Sequence, residues 1–270
     1  MLTVCLKFLA LTILINIWIC SDVYSMTEPV LIKLSPIEKS LISKKIWQNE
    51  AGGTIEGLTH WNKNEGFASL GIGHFIWFPK DKKFVFKESF PSLIHYMLDH
   101  GIIVPEWLNN RPCPWSNYDE FHNDQNSEKM RVLRRFLTDT LEIQFDFIVL
   151  RSQKALLKMM AETNVKERSR LEINYTILTR SPEGMYALID YTNFKGEGTL
   201  STERYKGEGW GLRDVLLNMN EYHDNETAVL AFSKSAQEIL RRRVKNGPPK
   251  EARWLSPWLK RVSGYTQALE

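Results

Sequence analysis

A carboxyl group that donates a proton near neutral pH must be kept from ionising, and Glu50 has the local setting for it. It stands in Gln48-Asn49-Glu50-Ala51-Gly52-Gly53, where an amphipathic helix is expected to run out into two glycines. The carbonyl end of a helix carries partial negative charge, which disfavours a further negative charge there. Desolvation in a cleft acts in the same direction, so such a group can serve as a general acid. The glycines let backbone or a bound molecule come close. Downstream lies Ser69-Leu70-Gly71-Ile72-Gly73-His74, a glycine-spaced segment with a hydroxyl at one end and an imidazole at the other. Glu56 is the second choice for the acid, because it is expected in a hairpin rather than at the end of a capped helix.

The elements that would position these groups follow from local signals. Ser35-Pro36-Ile37-Glu38 opens a helix, with Ser35 as cap, Pro36 in the first turn and Glu38 completing a capping box. Ile37, Leu41, Ile42, Ile46 and Trp47 give it one apolar face, and Gly52-Gly53 ends it near Glu50. Asn62-Lys63-Asn64-Glu65-Gly66 reads as a turn between two short strands, the β region of the chain. Helices are expected near 91–99, 127–138, 141–162, 182–194, 211–219 and 226–245. The stretch 105–126 reads as a surface excursion, 195–210 as a glycine-rich loop with paired turns, and the end of the chain, after Pro248-Pro249, as a tryptophan-bearing tail.

The order helix, glutamate, hairpin, Gly-Ile-Gly-His resembles the phage-type lysozymes and, more widely, the lysozyme-like superfamily that includes lytic transglycosylases. Met185 to Gly196 resembles the helix that packs behind the active site in that family. The likeness covers about 35–80 and 182–220. It implies an α+β, mainly α, lysozyme-like fold with a small β-hairpin lobe and a larger helical lobe. It also implies cleavage of a β-1,4-linked amino-sugar polymer, with peptidoglycan the expected substrate and no cofactor. Glu50 would be the acid, and Ser69 would take the place of the hydroxyl that holds the attacking water. The family's second carboxylate position falls on Lys63, and the hairpin is longer than is usual in the family. Glu65, next to that position, is the preferred replacement, with Asp190, Glu197 and Glu203 as other candidates that spacing does not pin. A lytic transglycosylase needs no second carboxylate, so the loss of the aspartate leaves that route open. Trp61, His74, Tyr191, Asn193, Glu197 and Trp210 are the expected substrate contacts. For each tryptophan taken singly, and for the 195–210 loop, plain packing is the competing reading.

Composition bounds the alternatives. The 270 residues are 43% hydrophobic with net charge +3, enough for one full core and too nearly neutral to require a nucleic-acid partner. Residues 1–25 read as a secretory signal, with Lys7 before the apolar run Phe8–Cys20 and cleavage expected after Ser25. The mature part, 26–270, is expected to be a single monomeric domain, periplasmic or secreted, without a stable membrane span; 81–180 is a helical insertion. Of three cysteines only Cys113 lies outside the leader, so no internal disulfide is expected. His95 and His100 are five apart and no His-Glu-x-x-His occurs, so no metal site is expected. The absence of Gly-x-Ser-x-Gly gives a serine hydrolase no support. A non-catalytic glycan-binding or envelope protein on the same scaffold is the alternative function.

Overall fold

The structure, a computed structural model, describes residues 32–270 except 81, 83, 85, 86, 110, 221 and 223. The leader read from residues 1–25 lies outside the described residues. With 63% helix against 6% strand, the chain is α+β and mainly α. Helix α1 (Pro36–Ala51) forms as its sequence dictates. The Ser35 hydroxyl accepts from the Glu38 amide at 3.3 Å, and the Glu38 carboxylate accepts from the Ser35 amide at 2.7 Å. Gly52 ends the helix at φ 63°, a conformation that costs glycine nothing. Ile42 and Ile46 are buried, but Ile37 is 72% exposed, so the apolar face starts one turn later than expected.

A 3-10 turn (Glu56–Leu58) leads into β1 (Thr59–His60), β2 (Ala68–Leu70) and β3 (Phe75–Trp77), one antiparallel sheet in the order β1-β2-β3. The Asn62–Gly66 turn is built by Asn62, whose carbonyl accepts from the Glu65 amide (2.8 Å) and whose side chain accepts from the Asn64 amide (3.1 Å). The third strand was not expected; it is the aromatic and β-branched run Phe75-Ile76-Trp77, which suits a pleated, half-buried surface. Ser69 lies opposite both His60 and Ile76.

The helical part comprises α2 (Phe90–Asp99), α3 (Tyr118–Asn123), α4 (Glu128–Asp139), α5 (Leu141–Glu162), α6 (Val165–Leu178), α7 (Pro182–Lys195), α8 (Leu212–Asn218), α9 (Asn225–Asn246) and α10 (Leu255–Ser263). Six match expected segments. α3, α6 and α10 do not: α3 sits in the supposed excursion and α10 in the supposed tail. The glycine-rich loop holds a two-stranded hairpin, β4 (Arg204–Tyr205) and β5 (Glu208–Gly209), turned at Lys206-Gly207 with both φ positive (53° and 83°).

Helix α7 is the centre. Every residue from Gly184 to Thr192 is buried, and α1, α5, α6, α8 and α9 all pack on it. A helix covered all round shows no amphipathic face. Gly184 is required there, since a Cβ would lie 2.1 Å from the Leu178 carbonyl oxygen. The sheet is fastened to this body by buried Gln144 of α5. Its side-chain oxygen accepts from the Ile72 amide (3.0 Å), and its nitrogen donates to the Leu137 carbonyl (2.7 Å) and the Thr140 hydroxyl (3.1 Å). No helix among the described residues is long and apolar enough to cross a membrane.

Candidate active site

Glu50 occupies the last turn of α1, and its carboxylate is 11% exposed, turned inward rather than into bulk water. Three elements distant in sequence meet it there. Arg261 of α10 donates Nη2–H to Oε1, a short contact. Asn193 of α7 approaches the same oxygen at 3.5 Å and donates to the Gly73 carbonyl at 3.3 Å. His74, between β2 and β3, brings Nδ1 to 3.5 Å from Oε2. The carboxylate therefore sits where the end of the first helix, the sheet, the central helix and the C-terminal helix converge.

Behind this contact lies a buried charge. Asp190, fully buried on α7, accepts from Arg261 Nε (2.9 Å) and Nη2 (2.7 Å), from the Tyr265 hydroxyl (2.7 Å) and from the Asn49 amide (3.2 Å). Asn49 also donates to the Tyr186 hydroxyl at 2.6 Å. Burial would lower the Arg261 pKa, but Asp190 and then Glu50 hold it well above the ordinary value. The guanidinium is thus a fixed cation shared by two carboxylates. Burial likewise drives the Tyr265 hydroxyl well above its usual range, and Asp190 adds to the effect. Asp190, a candidate second carboxylate on sequence, has no free side to offer a reacting molecule; it holds Arg261 in place.

His74 stands at φ 45°, uncommon for a residue with a Cβ. The neighbouring Gly71 (φ 70°) accepts from the His74 amide at 3.2 Å. A Cβ on Gly71 would lie 2.3 Å from the Gln144 side-chain oxygen, so both glycine conformation and glycine size are needed there. The His74 ring stacks on that of His60 with centroids 5.6 Å apart and planes 9° from parallel. Burial lowers the His74 pKa; Glu50 opposes that, while His60 and Arg261 add to it. Burial also lowers that of His60.

The remaining expected residues divide sharply. Trp61 is buried against Phe121, with its indole N–H on the Glu65 carbonyl (2.9 Å). Tyr191 is buried, with its hydroxyl donating to the Trp210 carbonyl (2.9 Å). Trp210 is itself buried under Tyr205 and Arg243. These three are packing residues, and their assignment as sugar contacts is corrected: no aromatic face is left open. Trp77 of β3 is likewise buried between Phe90 and Trp115. Glu197 is paired with Lys158 of α5 at 2.6 Å and has no bond to the Glu50 cluster. Glu203 stays in its own loop beside Gly196, where burial raises its pKa. Ser69 is buried in the middle strand, opposite His60. Glu56 is exposed on the 3-10 turn. Glu65 lies at the hairpin tip, where partial burial of the carboxyl raises its pKa.

Glu65 and Asn64 line one bank of a groove of about 370 Å³ whose other bank includes Arg253, Trp254 and Trp258. Trp258 is one helical turn from Arg261. Lys195 lies between, 3.4 Å from the Trp258 ring centroid and 3.9 Å from that of Phe194, and Arg261 covers Phe194 at 4.1 Å. Burial, and then repulsion from Arg243 and Arg261, puts the Lys195 pKa well below the ordinary lysine value. Sequence reasoning missed Arg261, Lys195, Trp254 and Trp258. The available signal was the spacing Leu255, Trp258, Leu259, Val262, a helical stripe in what was read as a tail. The buried Cys113 thiol is pushed up to about 12 by desolvation, so it is no nucleophile. Among the described residues no group of three His, Cys, Asp or Glu side chains could hold a metal ion. Comparison with family models, with curated proteins and with solved structures finds no match to this chain.

Proposed function

We propose that the chain is a lysozyme-like enzyme that cleaves β-1,4-linked amino-sugar polymers, peptidoglycan foremost, after export by the leader in residues 1–25. The observation that carries this reading is the inward-turned Glu50 carboxyl, held where α1, the sheet, α7 and α10 meet. Trp258, one helical turn from the Arg261 that pairs with Glu50, lines the groove that also holds Trp254, Arg253 and Glu65. A polysaccharide laid in that groove would stack on Trp254 or Trp258 and present a glycosidic oxygen to Glu50. Proton donation then accompanies C–O cleavage as the sugar takes on oxocarbenium character.

The setting favours a one-carboxylate route over direct hydrolysis. Lys63 stands where the family's second acid would be. Glu65, the preferred replacement, lines the groove at the hairpin tip and is the carboxyl through which hydrolysis would run. Asp190 is wholly engaged by Arg261, Tyr265 and Asn49. A sugar hydroxyl attacking within the substrate would return its proton to Glu50 and leave an anhydro end. Glu50→Gln is therefore expected to abolish lysis of purified cell walls while leaving the unfolding midpoint near that of the parent. Mass analysis of the digest separates the outcomes: anhydro ends support the one-carboxylate route and reducing ends a hydrolase. Wall binding without products would favour the glycan-binding alternative, which the Arg261–Glu50 pairing makes worth testing because it occupies the acid.

A further inference from the structure

Glu50 has two carboxylate oxygens, and they face different partners. Arg261 and Asn193 both address Oε1, whereas Oε2 faces only His74 Nδ1, at 3.5 Å, among the contacts described above. Arg261 is a permanent cation, so a proton reaching Glu50 must come to the oxygen that Arg261 leaves open. His74 is the titratable group placed there. Its position is set by backbone rather than by chance packing: the ring hangs from a residue at φ 45°, one position after Gly73 and two after Ile72, whose amide is clamped by Gln144. The ring is 27% exposed, covered on one side by the His60 imidazole. Nε2 is buried without a well-aligned hydrogen-bond partner, and the Gly57 backbone is the polar group on the ring besides Glu50 that favours its protonated form.

The charged and polar groups around the ring come from each packed element: Glu50 from α1, the Gly57 backbone from the 3-10 turn, His60 from β1, Asn193 from α7, and Arg261 from α10 with Asp190 behind it. Glu50 and the Gly57 backbone favour the cationic ring; burial, His60 and Arg261 disfavour it. Burial is the largest of these influences and lowers the proton affinity of the imidazole, so a ring whose Nδ1 lies 3.5 Å from Oε2 is placed to give up its proton there.

We propose that His74 is the proton partner of Glu50: a positioning residue that shares one proton with the carboxyl and reloads it between turnovers. The inference rests on the reading of Glu50 as the acid. In the reloading step the cationic ring gives its Nδ1 proton to Oε2, leaving a neutral imidazole and a neutral carboxylic acid. Glu50 then protonates the glycosidic oxygen as the C–O bond breaks. The hydroxyl that attacks the sugar carbon loses its proton to the Glu50 carboxylate, from which His74 can take it, so no proton is consumed.

The sign of the pH dependence follows. Activity needs one proton on the pair, and the alkaline limb of kcat/KM reports its loss from the pair rather than from either residue. Without the imidazole the proton has one site to occupy instead of two. His74→Gln is thus expected to move the alkaline limb to lower pH by about one unit or more. A residue that only shapes the turn would lower kcat at every pH and leave the limb in place, and that result overturns the proposal.

A second measurement uses no His74 variant and no turnover. In NMR titrations of the histidine rings, His74 is expected to titrate at lower pH in Glu50→Gln than in the parent, because the carboxylate no longer supports the cation. Equal titration in the two proteins also overturns the proposal. The two levels fail separately. An active Glu50→Gln removes the assignment of the acid itself, whereas an inactive Glu50→Gln with an unmoved His74→Gln limb removes only the proton partner.

Discussion

Asp190 shows how one side chain can set the stability and the chemistry of the same place. A carboxylate with no solvent exposure is tolerated only if its charge and lone pairs are met, and four donors from Arg261, Tyr265 and Asn49 meet them. The arrangement does more than pay for burial, because it fixes the guanidinium that touches Glu50. Asp190→Ala leaves that cation buried with Glu50 as its remaining carboxylate. The expected loss is about 3–5 kcal/mol, the range for breaking one side of a buried pair, read from urea unfolding of parent and variant. A loss below about 1 kcal/mol would mean that the pair behaves as though solvated, and the account of a fixed Arg261 would go with it.

Among the elements, α5 governs the sheet through a single amide side chain. Gln144 holds the Ile72 amide and is itself held by the Leu137 carbonyl and the Thr140 hydroxyl. Gln144→Leu keeps the volume but strands a buried N–H, for an expected cost of about 1–3 kcal/mol. It should also cut wall lysis several-fold, since Gly71–His74 would lose its anchor; unchanged stability and lysis would show that the turn holds itself. The elements that sequence could reveal were those closed by neighbours in the chain. The capping box at Ser35 and Glu38, the Gly52 stop and the Asn62 turn are all local, and they placed Glu50 at a helix end and the hairpin after it. β3, α6 and α10 were missed because their identity depends on distant partners: Trp77 is a strand residue by virtue of Ala68 and the aromatic cluster behind it. Trp61, Tyr191 and Trp210 were misread for the same reason, since whether an aromatic ring is wall or core is decided by what covers it. Asp190 was legible in part. A lone acid in the apolar run Met185–Tyr191 demands a cationic partner, although nothing local says that the partner is Arg261.

At the scale of the molecule, the fold closes by bringing the two ends of the described chain onto one helix. α1 reaches α7 through Asn49, and the C-terminal segment reaches it through Arg261 and Tyr265, so Asp190 is the point where both are joined. The C-terminal segment also packs on α9, with Ser233 donating to the Val262 carbonyl at 2.9 Å and Val262 and Tyr265 fully buried. Chain ends usually fray and tolerate trimming, but tolerance depends on burial and hydrogen bonding of what is removed. Here a truncation after Trp254 would take away α10, the two residues (Arg261 and Tyr265) that donate to Asp190 from that side, and Trp258 from the groove. Asp190 would be left with Asn49 as its donor, and the apolar face of α9 would be open. The expected result is loss of a cooperative unfolding transition together with loss of lysis, rather than a well-folded protein missing its last helix. Differential scanning calorimetry of the truncated and full chains decides between them. A sharp transition retained within a few degrees of the parent would show that α7 and its buried acid are stable without the C-terminal lock, and that α10 serves only the site.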